Sequence, residues 1–223
     1  MGYTTHFSGE VSVSPALNEA EQTYLRKFAQ TRRVDRERGP YFVDGAGFMG
    51  QGPDTDIKQN NEPPPGQPGL WCQWVPSEGG GAIEWDEGEK FYEAAEWMVY
   101  LIDTFLKPGC TVEKEMEDGR LPDEIAAQFA DFTFDHVCKG EIEADGEEPD
   151  DFWRLVVTDN IVEQIDGRVA YADETEPPVS ALAEIAAMLP TEDEWRNAAD
   201  FMEAVAGVLD RHNVERPEHY PED

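Results

Sequence analysis

The sequence predicts an α+β fold: a mostly antiparallel sheet covered on one face by helices, with a C-terminal helical pair. Three observations carry that prediction. A tryptophan-rich hairpin spans Leu70 to Asp86, a strongly apolar helical stretch follows from Phe91, and residues 140–172 alternate short apolar runs with turn pairs.

In the hairpin, Leu70, Cys72 and Trp74 alternate with Trp71, Gln73 and Val75, which places the two sets on opposite sheet faces. Gly79-Gly80-Gly81 supplies a permissive reversal, and Ile83 and Trp85 alternate with Glu84 and Asp86 on the return. Asp86 with Glu89 reads as a capping box that starts the next helix. Phe91, Ala95, Met98, Ile102 and Phe105 recur at helical spacing, so this helix is expected to be largely buried. Pro108-Gly109 stops it.

Ahead of the hairpin, Tyr3 to Val13 reads as a strand ended by Pro15. Asn18 with Glu21 starts a helix that buries Tyr24, Leu25 and Phe28 and runs to about Arg33. Residues 39–69 form a long glycine- and proline-rich loop, an unusual length for a connection in a compact domain. Gly45 to Gly50 spells a dinucleotide fingerprint but lacks the strand and helix that give it meaning. After the central helix, residues 110–134 hold a short helix with Ile125, Phe129 and Phe132 on its apolar side. A short strand at Gly140 to Ala144 precedes a meander of Phe152 to Val157, Ile161 to Ile165 and Arg168 to Ala172. Asp159-Asn160 and Asp166-Gly167 are its turns. Pro177-Pro178 marks a boundary, and helices are expected at Val179 to Leu189 and Glu192 to His212. The division is therefore a core domain over 1–174 and a helical extension with a polar tail over 175–223.

Forty-nine acids against 17 bases give a formal charge of −32. Such a surface repels nucleic acid and anionic membrane and attracts basic proteins; a solubility or salt adaptation of the host is the simpler alternative. No stretch approaches the roughly 20 apolar residues of a membrane span. The N-terminus has no secretory pattern, and Cys72, Cys110 and Cys138 are too widely spaced for a disulfide framework. A cytoplasmic protein with reduced thiols is expected.

The segments YTTHFSGEV, FAQTRRVDR, GQPGLWCQWV, IEWDEGEKFYEAAEWMVYLI and DDFWRLVVTDNIV occur in this order. Together they resemble a family of uncharacterised bacterial and phage proteins over residues 3–165. The resemblance implies one core with decorations, residues 110–134 being an insertion and the helices from Val179 an addition. It brings no activity, cofactor or catalytic residue.

Three groups of residues could carry chemistry. Arg32, Arg33, Arg36 and Arg38 form a basic cluster able to grip a phosphate or carboxylate, with the adjoining glycine-rich loop assisting; internal pairing with acids is the alternative. Trp71, Gln73, Glu84, Trp85 and Asp86 could line a pocket on the hairpin, or simply form a solvated face with a helix cap. His136, Cys138 and Cys110 could approach a metal, but no ligand spacing supports it. No G-x-S-x-G, Walker or HExxH motif is present. The sequence thus leans toward a non-enzymatic interaction or regulatory module for a basic partner, without cofactor or metal. The alternative is a small-molecule or anion site where the arginines, the loop and the hairpin converge.

Overall fold

A computed structural model describes residues 2–43, 56–167, 205–209 and 211. The chain divides into two compact units, Met1–Arg168 and Val169–Asp223. In the second unit residues 205–209 are helical, within the stretch expected as the last helix. The expected strand 168–172, the helix 179–189 and the Gly45–Gly50 motif lie outside the described residues.

The first unit is built on a six-stranded, wholly antiparallel sheet. Its strands are β1 (His6–Ser14), β4 (Trp74–Pro76), β5 (Ala82–Trp85), β6 (Val137–Asp145), β7 (Phe152–Thr158) and β8 (Ile161–Asp166), in spatial order β4-β5-β1-β6-β7-β8. A separate two-stranded ribbon joins β2 (Asp35–Arg36) to β3 (Ile57–Gln59). β1 and β6 pair over all nine residues, from His6 opposite Asp145 to Ser14 opposite Val137. Glycines bring these two strands close. A Cβ on Gly140 would lie 2.4 Å from the Glu10 carbonyl oxygen, and one on Gly9 would lie 2.5 Å from that of Glu141.

One face of this sheet is the core. Phe7, Val11 and Val13 of β1, Cys138, Ile142 and Ala144 of β6, and Leu155 and Val157 of β7 are all buried there. α1 (Glu19–Gln30) adds Tyr24, Leu25 and Phe28. Its start is the expected capping box: the Glu21 N–H donates to Asn18 Oδ1 at 3.0 Å, and the Asn18 N–H donates to Glu21 Oε2 at 2.7 Å. It ends at Gln30 rather than Arg33, because Thr31 turns extended.

The central helix begins later than the sequence suggests. α2 runs Ala94–Leu101 and continues as a π-helical segment Ile102–Leu106, where the Lys107 N–H reaches back to Ile102 O. Asp86 does not cap it; its Oδ1 accepts from the Gly88 N–H at 2.9 Å and closes a local turn. Glu87, Lys90 and Glu93 then all take left-handed backbone angles, which bulky residues adopt only at a cost, so no helix forms across them. Phe91, Ala95, Met98, Ile102 and Phe105 are nonetheless buried, as the periodicity requires, and Trp97, Leu101 and Leu106 are buried beside them. α3 (Thr111–Glu117), α4 (Asp123–Ala126) and the 3-10 turn Ala127–Phe129 close the core with Val112, Ile125 and Phe129.

The hairpin differs in extent. Leu70 to Gln73 is irregular and only Trp74–Pro76 pairs, although Cys72 and Trp74 do point inward. The Trp74 indole N–H donates to the Ala94 carbonyl at 2.8 Å and ties hairpin to helix. The expected short strand 140–144 is the nine-residue β6, which pairs with β7, and β7 and β8 are the first two strands of the expected meander. Asp159 and Asn160, at φ 49° and 71°, make the two-residue turn between β7 and β8. The Gly167 N–H bonds to Phe152 O at 2.8 Å, so the β7–β8 ladder reaches Gly167; the strand expected after the Asp166-Gly167 turn lies outside the described residues.

Candidate functional site

The four arginines of the basic cluster turn inward or along the loop. Arg33 is 2% exposed. Its Nε donates to Gln67 Oε1 at 3.2 Å, Nη1 to the Phe42 carbonyl at 2.9 Å and Nη2 to the Pro40 carbonyl, and its guanidinium lies 4.1 Å from the centre of the Phe28 ring. No carboxylate pairs with it among the described residues. Burial lowers its pKa, yet a guanidinium stays protonated, so this is an interior cation held by neutral acceptors and a ring face. Arg36, equally buried, pairs with Asp56 Oδ1 at 3.3 Å; Arg38 donates to Asp56 Oδ2 at 2.8 Å and covers the Phe42 ring at 3.6 Å. The Arg38 hydrogen bond, outweighing the opposing burial, holds Asp56 below the usual carboxylate range. Arg32 donates to the Asn60 carbonyl at 2.6 Å and Asn61 Oδ1 at 3.0 Å. Arg33 and Arg32 thus satisfy the Pro40, Phe42 and Asn60 carbonyls, which a loop packed on a core must otherwise leave unpaired, while Arg36 and Arg38 hold the Asp56 carboxylate.

The hairpin residues form a second, separate network. Trp85 Nε1 donates to Gln73 Oε1 at 3.1 Å, and Gln73 Nε2 donates to Glu89 O at 2.9 Å. Partial desolvation raises the Asp86 carboxyl, against the Gly88 N–H that lowers it. Trp71 and Glu84 are half-buried. The Arg33 N–H bonds to Leu70 O at 2.8 Å, while Trp85 bonds to Gln73, Gln73 to the Glu89 carbonyl and Asp86 to the Gly88 N–H.

His136, Cys138 and Cys110 do not share a metal; no group of ligating side chains able to hold one exists among the described residues. All three cysteines are free and buried, and desolvation pushes Cys72 and Cys138 up to about 12, so none is poised as a nucleophile. His136 instead makes a buried ion pair with Glu21 at 3.1 Å. Its Nδ1 faces the Pro15 carbonyl at 2.8 Å, which can only accept. Its Nε2 lies 3.1 Å from Glu21 Oε1 and 3.2 Å from Thr133 Oγ1, and the carboxylate favours the imidazolium form. Burial opposes charge on both partners. Even so, the His136 bond and the Thr133 and Asn18 N–H groups bring Glu21 down to about 2, and Glu21 and Pro15 raise His136. Buried on both sides, the pair serves as a clamp between α1 and the residue that leads into β6.

The other face of the sheet carries exposed side chains among the described residues. Glu10 of β1, Glu141, Glu143 and Asp145 of β6, and Glu163 of β8 are exposed there. Glu10 stands directly opposite Glu141, an arrangement that costs stability unless something neutralises it. Arg154, opposite Glu143 and bonded to Glu141 at 2.7 Å, and exposed Lys139, two residues before Glu141 on β6, are cations on this face. A cavity of about 640 Å³ opens at the His6 end, lined by Glu143, Asp145, Phe152, Arg154, Ile165 and Asp166. Three carboxylates around an aromatic and aliphatic floor suit a long basic side chain, whose stem packs on carbon while its head meets oxygen. Exposed Ile161 and Ile165 extend the apolar part along β8. The sequence signal for this surface is the period-two run of Glu141, Glu143 and Asp145 against Ile142 and Ala144, legible only once β6 is seen as a long strand.

No family model, curated protein or solved structure matches this chain. No helix among the described residues is long and apolar enough to cross a membrane.

Proposed function

We propose that this protein is a cytoplasmic, non-enzymatic interaction module whose open sheet face engages a basic protein partner. The observation that carries the reading is the concentration of carboxylates around an apolar-floored cavity on a face that no helix covers among the described residues. The reduced, buried thiols are in keeping with a cytoplasmic setting. The anion-site alternative finds less support, because the arginines it needs already bond to loop carbonyls, Gln67, Asn61 and Asp56.

The test compares two triple charge reversals that change net charge equally. One is Glu141→Lys, Glu143→Lys and Asp145→Lys on the sheet face; the other is Glu117→Lys, Asp123→Lys and Glu124→Lys on the helical face. Deca-arginine is titrated into each by calorimetry at low salt. The sheet-face reversal is expected to weaken binding about tenfold or more and the helical one about threefold or less. Equal losses would mean that only the overall charge attracts the peptide, and the reading would fail.

A further inference from the structure

The two edges of the sheet are built differently. At one edge, β4 has three residues and ends in Pro76, which has no N–H. Arg26 donates to the Pro76 and Ser77 carbonyls beside it, at 3.2 and 3.0 Å. Proline, shortness and a covering cation are the usual means of stopping another strand from adding.

At the other edge, β8 has six residues, no proline, no lysine and no bulge in its register with β7. The ladder fixes which of its backbone groups face outward. Thr158 and Ile161 flank a two-residue turn and are therefore a hydrogen-bonded pair, and the Gly167 N–H bonds to Phe152 O at the far end. Ile161, Glu163 and Ile165 thus bond inward to β7. Val162, Gln164 and Asp166 present their N–H and C=O groups outward, and no strand pairs with them among the described residues. Gln164 and Asp166 are exposed.

We propose that β8 receives an extended, basic segment of the partner as a seventh strand. The inference rests on the reading of the sheet face as a basic-partner site and specifies how the partner is held. Main-chain hydrogen bonds to Val162, Gln164 and Asp166 supply the docking. Lysine or arginine stems lie over Ile161, which is 66% exposed, and Ile165, while their heads reach Glu163 and the carboxylates of the adjoining cavity. Charge selects this occupant over a second copy of the chain, since a paired copy of β8 would set Glu163 and Asp166 among like charges on a −32 molecule.

The experiment uses a ten-residue peptide of alternating lysine and valine and a second peptide of the same sequence with every valine amide N-methylated. Both carry the same charge, but the second cannot donate along one edge. Strand addition predicts that the plain peptide binds the full chain at least about tenfold more tightly. It also predicts that Gln164→Pro weakens the plain peptide about tenfold while Gln164→Ala changes it little. Equal binding of both peptides, lost on the sheet-face reversal, would overturn strand addition and leave the face reading standing. No binding of either peptide at low salt would count against both. If Gln164→Pro melts early, the two-peptide comparison on the unaltered protein still decides. Sedimentation showing dimers that Gln164→Pro abolishes would assign the edge to self-association and also overturn the proposal.

Discussion

The interior around the Arg33 guanidinium and the outer face around Glu141 treat charge in opposite ways. Inside, a cation is surrounded by the Pro40 and Phe42 carbonyls, Gln67 and the Phe28 ring, and every such contact holds the chain in place. Outside, Glu10 and Glu141 face each other across two strands, with Arg154 bonded to Glu141 and Lys139 two residues along β6, a like-charge pairing that folding alone disfavours. Seventeen bases are too few for 49 acids, and some of the scarce cations are buried as structural hydrogen-bond donors. The acidity of the surface therefore reflects where the positive residues are placed as well as how few they are.

The largest effect that would sharpen this contrast is expected at Arg33. Arg33→Ala removes three hydrogen bonds and leaves a void and unpaired carbonyls, so a loss of about 3–5 kcal/mol is expected in urea denaturation. A loss below about 1 kcal/mol would mean that the buried cation does not hold the loop. Next comes Glu21→Ala, which strands the His136 imidazolium. Breaking one side of a buried pair costs about 3 kcal/mol or more, and a double variant that also replaces His136 with Gln should recover part of it.

The same pair sets a pH profile. The Glu21 carboxyl is depressed from 4.5 to about 2, so its contribution is complete above its unfolded value and is lost as pH falls toward 2. The His136 pKa is raised above 6.5, so its contribution is complete below that value and is lost as pH rises through the folded one. Stability attributable to the clamp should therefore peak between about pH 4.5 and 6.5. Melting temperatures across pH 2 to 9 that follow the same curve in the Glu21→Gln/His136→Gln protein would remove the clamp from the account.

The smallest effect belongs to the outer face. Glu10→Lys replaces a like-charge pair with an opposite one and should leave stability unchanged or raise it by about 0.2–1 kcal/mol. A clear destabilisation would show that Glu10 serves the fold, and the contrast between the two regions would weaken.

The fold was legible where a local signal had no competitor. Asn18 and Glu21 start α1 as read, and the apolar spacing of Met98, Ile102 and Phe105 gives their burial. Legibility failed where local signals conflicted. Asp86 and Glu89 match a capping box, but Asp86 closes its own turn with Gly88, and the helix waits until Ala94. The expected strand starts at Gly140, whereas β6 starts at Val137 and runs through Gly140, where close contact with β1 requires glycine. The arginines illustrate a deeper limit. Internal pairing with acids is legible for Arg36 and Arg38, which meet Asp56, but nothing in residues 32–38 reveals that the carbonyls of Pro40 and Phe42 return to Arg33. The acids of β6 and the apolar residues of β8 were visible singly; their meeting around one cavity is a product of register.

Backbone amide chemical-shift mapping during a titration with deca-arginine tests the central claim most directly. The account predicts perturbations concentrated on β6, β7 and β8, strongest near Glu143, Asp145, Arg154 and Gln164, with α3 and α4 nearly silent. Shifts spread evenly over exposed acids, or centred on Glu117, Asp123 and Glu124, would contradict it.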